Sequence, residues 1–320
     1  MALRNSIFAV SGKASFLDAR RDMSGLFVCD KTTMMPIAGI LDRSQDNLVT
    51  GRSDSMSVTV RPFNAVLNRY GALLIQNDGD VKVPLSAAPS ANSRIDVVYV
   101  KQNETRSPMS DGSDVPEFGV VNGVAAATPV APSVPDGALA LAQVLLPAGV
   151  SNTAAAGVVI TQTYIGAAMK GDMLRVQTSD QRDALTTVPE GTLLHNVADN
   201  CDYVRTPSGK WAKTRDTISV KLPWTSDTVW LSRDWDTVIV AGNAKFNGSR
   251  QENYTTAKET IPVGWRPYGP APTGAYGVVG AINANWCNQI QTDGKIIMLG
   301  NPNGAYSGVT GGWQCREWRA

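Results

Sequence analysis

Hydrolysis of a polysaccharide needs two carboxyl groups held at a fixed separation across a groove. The last third of the chain supplies acids for such a pair in Asp216, Asp227, Asp234, Asp236, Glu252, Glu259, Asp293 and Glu317. Their spacing singles out no two of them, and turn or rim positions account for acids scattered in this way. Asp227, Asp234 and Asp236 are close in sequence, yet neither an EF-hand loop nor a Gly-rich Asp repeat surrounds them, so calcium is not expected. His195, the single histidine, lies in the apolar run "GTLLHNV" without a neighbouring nucleophile. Cys29, Cys201, Cys287 and Cys315 show no CxxC or Cys/His spacing for zinc and read as buried thiols, with Cys287 and Cys315 the one pair to consider for a bridge. Neither a GxSxG motif, a P-loop nor a GxGxxG opening a helix is present. The expectation is a protein without catalytic residues, metal or cofactor.

Binding chemistry is better represented. All eight tryptophans, at 211, 224, 230, 235, 265, 286, 313 and 318, fall in the last third. An indole offers a flat face to the C–H side of a sugar ring, while Asn, Gln, Asp and Arg supply directional hydrogen bonds to hydroxyls. Both kinds of group meet in "NANWCNQIQ" and "GGWQCREW". These stretches nominate Trp286 and Trp313 as exposed platforms, with Asn285, Asn288, Gln314 and Arg316 beside them. The competing reading is that tryptophan at a strand position fills a core or a subunit interface.

The elements that position these residues read as strands. Helical three-and-four spacing of apolar residues is nearly absent, and short alternating or β-branched runs recur between turn signals. Examples are "SMSVTVRP" (55–62), "GALLIQNDGDVKVPL" (71–85), read as a hairpin on Asp78 and Gly79, "IDVVYVK", "LALAQVLLP" (139–147) and "AGVVITQTY" (156–164). Between 107 and 137 prolines at 116, 129, 132 and 135 hold an extended connection, read as a long loop within the first domain. "SDQRDAL" suggests a short helix capped by Ser179, "PSG" (207–209) a hairpin turn, and "TDGK" (292–295) another.

At 320 residues the chain exceeds the usual single domain. A mainly β architecture in three parts is expected: a β-rich domain over 1–165, a connecting module over 166–215, and a Trp-rich sandwich or jelly roll over 216–320. With 29 Lys+Arg against 28 Asp+Glu, no global field favours nucleic acid or an anionic membrane. "MALRNSIFAVSGKASF" is too interrupted by polar residues for a signal peptide or span, so membrane insertion is not expected.

The motifs carry a resemblance to tail fibre and minor tail proteins of tailed bacteriophages. "MSVTVRPFNAVL", "SRIDVVYVK", "TPVAPSVPDGALALAQVLLPAG" and "VITQTY" resemble the attachment domain of such proteins. "EGTLLHNVADNCDYVRTPSGKW" is similar to a collar module, and "IPVGWRPYGPAPTGAYGVVGAINANWCNQIQTDGKIIML" resembles a receptor-binding head. The ending "YSGVTGGWQCREWRA", richer in Trp and Arg, departs from that head. The resemblance implies a homotrimer in the virion tail, made in the host cytoplasm. One end would dock on other tail or baseplate proteins and the other would bind a host cell-surface glycan. A purely structural tail protein is the alternative. The resemblance also implies a strand for Arg94 and Asp96, where a pair two residues apart on one face fixes register, makes an intersubunit contact, or is a rim ion pair of little worth.

Overall fold

The computed structural model describes residues 15–41, 47–225, 227–245, 254–268, 277–281, 286–300 and 306–315. These residues are mainly β, with several antiparallel sheets, short helices and no closed barrel. The chain divides into two compact units, Met1–Asn200 and Cys201–Ala320, and the division falls inside the stretch read as a connecting module.

The first unit's α1 (Phe16–Ser24) begins on a capping box. Ser15 Oγ accepts from Asp18 N at 3.2 Å and Asp18 Oδ2 accepts from Ser15 N at 2.9 Å, satisfying N–H groups that the helix itself cannot pair. Then come β1 (Gly39–Ile40), β2 (Val49–Gly51), β3 (Ser57–Val60), β4 (Phe63–Asn68), β5 (Ala72–Asn77) and β6 (Val81–Pro84). They sort into two three-stranded sheets, β1-β4-β5 and β2-β3-β6. A third sheet, ordered β10-β9-β7-β8, combines β7 (Arg94–Gln102), β8 (Pro116–Val121), β9 (Leu139–Leu146) and β10 (Val159–Gln162). Burial alternates along strands such as β5 and β10, whereas β7 is buried on both faces from Asp96 to Lys101. Val58, Val60, Leu67, Val98, Leu141 and Leu146 from the three sheets meet in one core, each such burial contributing about 1.5–3 kcal/mol.

Two sequence expectations change here. The "NDGD" link does not close a hairpin, because β5 pairs with β4 while β6 pairs with β3. Neither Asp78 nor Gly79 takes a positive φ. An alternating run on each side of a turn looks the same whether its strands face one another or part to separate sheets. The Pro-rich connection, for its part, contains β8, which pairs with β7 from Val97↔Val121 to Gln102↔Pro116. Pro116 is its first residue, a position where the missing N–H is tolerated.

Buried and half-buried charges tie the loops of this unit to its sheets. Asp111 accepts from Lys101 Nζ at 2.8 Å and from Glu104 N at 2.8 Å, and pairs with Arg69. Arg20 of α1 donates to Glu104 Oε2 at 2.9 Å, which brings the helix into the same network. Next, β11 (Met173–Val176) and β12 (Leu193–Asn196) run parallel, with α2 (Ser179–Ala184) between them in sequence. Thr178, not Ser179, caps α2, its Oγ1 accepting from Gln181 N at 3.2 Å. The side chain that caps is the one still in extended backbone, one residue earlier than the sequence suggested.

The second unit opens with the hairpin of β13 (Cys201–Arg205) and β14 (Trp211–Lys213), turning at "PSG" as expected. The strands β15 (Arg215–Lys221), β16 (Thr228–Asp234), β17 (Thr237–Lys245), β18 (Thr256–Thr260), β19 (Gly277–Ala281), β20 (Trp286–Ile290), β21 (Lys295–Gly300) and β22 (Tyr306–Gln314) then form one sheet. Its order is β15-β16-β17-β22-β19-β20-β21-β18, so β15 and β18 are its edges. "TDGK" closes the β20–β21 hairpin with Gly294 at φ 85°, a conformation that favours glycine. The sheet curls over one core, since Val229 and Leu231 of β16 pack in the same cluster as Ile290 of β20 and Ile296 of β21.

Candidate functional site

The strand period decides which residues of the second unit face outward. Along β16, Val229, Leu231 and Arg233 are buried, and Thr228, Trp230, Ser232 and Asp234 are exposed. Along β17 the exposed set is Ile239, Ala241, Asn243 and Lys245. Pairing sets these side by side. Ser219 of β15 lies opposite Trp230, which lies opposite Ala241, which lies opposite Thr310 of β22. In the next row Thr217, Ser232, Ile239 and Gly312 are neighbours. Trp230 and Ile239 are each 55% exposed. A large indole thus stands on an open sheet face among residues too small to bury it, several of them bearing hydroxyls.

The two ends of this face differ in charge. At the hairpin end Arg215 Nε donates to Asp234 Oδ1 at 3.1 Å, neutralising both. Gln314 is exposed in this row, its Nε2 donating to Thr237 Oγ1 at 3.2 Å. At the other end stand the exposed Lys221 of β15 and Lys245 of β17. Asp227 accepts from Lys245 N at 2.7 Å, so its carboxylate is bound to backbone where β16 and β17 separate beyond Ala241.

Neither a protein-family model nor any curated protein matches this chain.

The residues nominated from sequence are dispersed. Trp286 is 4% and Trp313 7% exposed, so the expectation that they are open platforms is corrected. Trp313 joins the core and donates its indole N–H to Trp265 O at 2.7 Å, while Trp286 packs with Met298 and Trp224. Asn288 is wholly buried on the same side of β20 as Trp286. Only Gln314 of the nominated set lies on the exposed face, and Asn285 and Arg316 fall outside the described residues. The sequence did carry a usable signal. Trp230 shares its parity with Thr228, Ser232 and Asp234, whereas Trp286 shares its own with Ile290, and Trp313 with Val309 and Cys315.

Arg94 and Asp96 form an internal latch instead of a rim pair. Arg94 Nε and Nη2 donate to the two Asp96 oxygens at 2.7 and 2.9 Å, and Asp96 is 0% exposed. Asp96 Oδ1 also accepts from Gly123 N at 3.0 Å, and Arg94 donates to Ser86 O and Ala87 O, each at 3.1 Å. The pair therefore pins two loops of its own chain to β7.

The remaining chemistry-bearing groups are committed locally. His195 stands on β12 in register with Arg175 of β11. Asp293 is held below the usual carboxylate range by the Lys295 ammonium, which donates to it. All four cysteines are free, so Cys287 and Cys315 are not bridged; burial raises the Cys287 thiol. In the first unit a cleft of about 370 Å³ is lined by Cys29, Asp30, Lys31, Met34, Lys170 and Glu190, among others. Asp30 in it already accepts from Thr32 N and Thr33 N at 2.7 and 2.8 Å, a turn-building role.

Proposed function

We propose that this protein is a homotrimeric tail fibre component of a bacteriophage virion, an adhesin and not an enzyme. Its N-terminal part docks on tail or baseplate proteins, and its C-terminal head, of sandwich or jelly-roll type, binds a host cell-surface saccharide. The observation that carries the reading is the half-exposed Trp230 on a sheet face edged by Ser219, Ser232 and Thr310. Stacking on one aromatic ring contributes on the order of 1 kcal/mol, which is weak for a single head. Three heads on one particle multiply it by avidity.

A second reading has its own support. Ile239 beside Trp230 is an exposed aliphatic, which a hydroxyl-rich ligand uses poorly and a protein partner uses well. In that reading the chain is a structural tail protein and the face packs against another virion component.

Binding of the full chain to intact cells of candidate hosts separates the two. Saturable binding that falls about five- to tenfold in Trp230→Ala, with the oligomeric mass unchanged, supports the adhesin. A folded trimer that binds no cells moves the structural reading ahead.

A further inference from the structure

Resting on the saccharide reading above, we propose that the ligand of the β15–β17 face is an anionic polysaccharide, held by stacking on Trp230 and by Lys221 and Lys245. Lys221 lies two residues beyond Ser219, which pairs with Trp230, or about 7 Å along the strand. Lys245 lies four residues beyond Ala241, the other partner of Trp230, or about 13 Å along. The two lysines stand on the strands either side of β16 and at the same end of it, Lys221 opposite Thr228 and Lys245 past the last β16–β17 pair. A chain laid on the indole and running along β16 passes between them.

Charge complementarity selects the occupant. Among the described residues neither lysine has a carboxylate partner, while Arg215 at the far end is held by Asp234 and Asp227 is held by backbone. The face therefore presents an apolar step, small polar residues at Thr228 and Asn243, and then two ammonium groups beside the one carboxylate of Asp227, an excess of positive charge among the described residues. A neutral glycan could accept hydrogen bonds from the two ammonium groups but would leave their charge unbalanced. A protein partner would have to cover a surface whose large apolar side chains are Trp230 and Ile239, with the small Ala241 between hydroxyl-bearing neighbours. The net charge of +1 gives no general attraction to polyanions, so recognition of charge is local to this end of the face.

The test uses the 320-residue chain as the trimer and three immobilised polymers, polygalacturonate, which carries carboxylates, phosphomannan, which carries phosphodiesters, and neutral dextran, with duplex DNA as a polyanion control. Retention of one or both anionic polymers but not dextran, weakening as salt is raised, is the expected result. Lys221→Gln and Lys245→Gln should each weaken it by about two- to fivefold, the range of an exposed charge pair. Trp230→Ala should weaken it as well, and which anionic polymer is retained identifies the charged group. Equal retention of dextran, or no effect of either lysine substitution, overturns the anionic ligand and leaves the saccharide reading standing. Equal retention of duplex DNA, with no loss in Trp230→Ala, overturns it by reducing the patch to nonspecific polyanion binding. If host cells and all three polymers go unbound, both readings fail together.

Discussion

The most telling single residue is Asn288, placed by its strand between buried apolar neighbours. Neither amide atom has a hydrogen-bond partner among the described residues. An unsatisfied buried amide costs about 1–3 kcal/mol. Asn288→Val, which keeps a strand-compatible shape without polar atoms, is expected to raise stability by about 1 kcal/mol, read as a higher denaturation midpoint. A lowered midpoint would show that the amide is satisfied in the assembled protein. At this scale the sequence was only partly legible. It nominated residue types suited to sugar binding, but not which side of a strand each occupies, because "NWCNQI" and "GGWQC" hold both a tryptophan and polar residues whichever way they face. Trp230 was decidable by the polar company it keeps at every second position, and Trp313 more weakly by Val309 and Cys315, since the glycine between them carries no such signal.

At the scale of elements, β7 shows how one charge pair organises its surroundings. Removing one member of a buried pair strands the other, at a cost of about 3–5 kcal/mol. Arg94→Met should therefore destabilise the first unit by that order, measured by denaturant unfolding, and Arg94→Met with Asp96→Leu should recover much of the loss. Gly123→Ala is expected to be damaging too, since a Cβ there would run into the Ile95 carbonyl and lift the N–H from Asp96. Strands themselves were legible wherever apolar residues alternated. Pairing was not, as the parting of β5 and β6 shows, since register and sheet membership are settled by contacts distant in sequence. The cap on α1 has a local signature in Ser15 and Asp18, three residues apart, that strand periodicity does not reveal.

For the whole molecule, the network around Asp111 sets a pH limit. Hydrogen bonding from Arg69, aided by Lys101, holds this carboxyl well below the usual carboxylate range. A folded value below the unfolded one, about 3.9, means its stabilisation is fully present above about pH 4 and is lost as pH falls through the folded value. Denaturation midpoints should be insensitive to this group between pH 5 and pH 8, in the sense of ~no slope, and should drop on further acidification. Asp111→Asn should lower the midpoint at neutral pH and flatten the acid drop; an unchanged acid limb would assign acid sensitivity to other carboxylates. The mainly β composition was the most legible property of all, because it is summed over many short runs, each allowed to err.

Among the described residues β15 pairs only with β16, and its charges sit at the ends, where Arg215 is drawn to Asp234 and Asp216 to Lys213. Between them "TISV" leaves a stretch of backbone without proline or an inward charge to repel a newcomer. Such a margin is a template. A partner with a free strand could be stitched on there by main-chain hydrogen bonds alone, and in a concentrated solution lacking such a partner the same margin invites strand-by-strand growth.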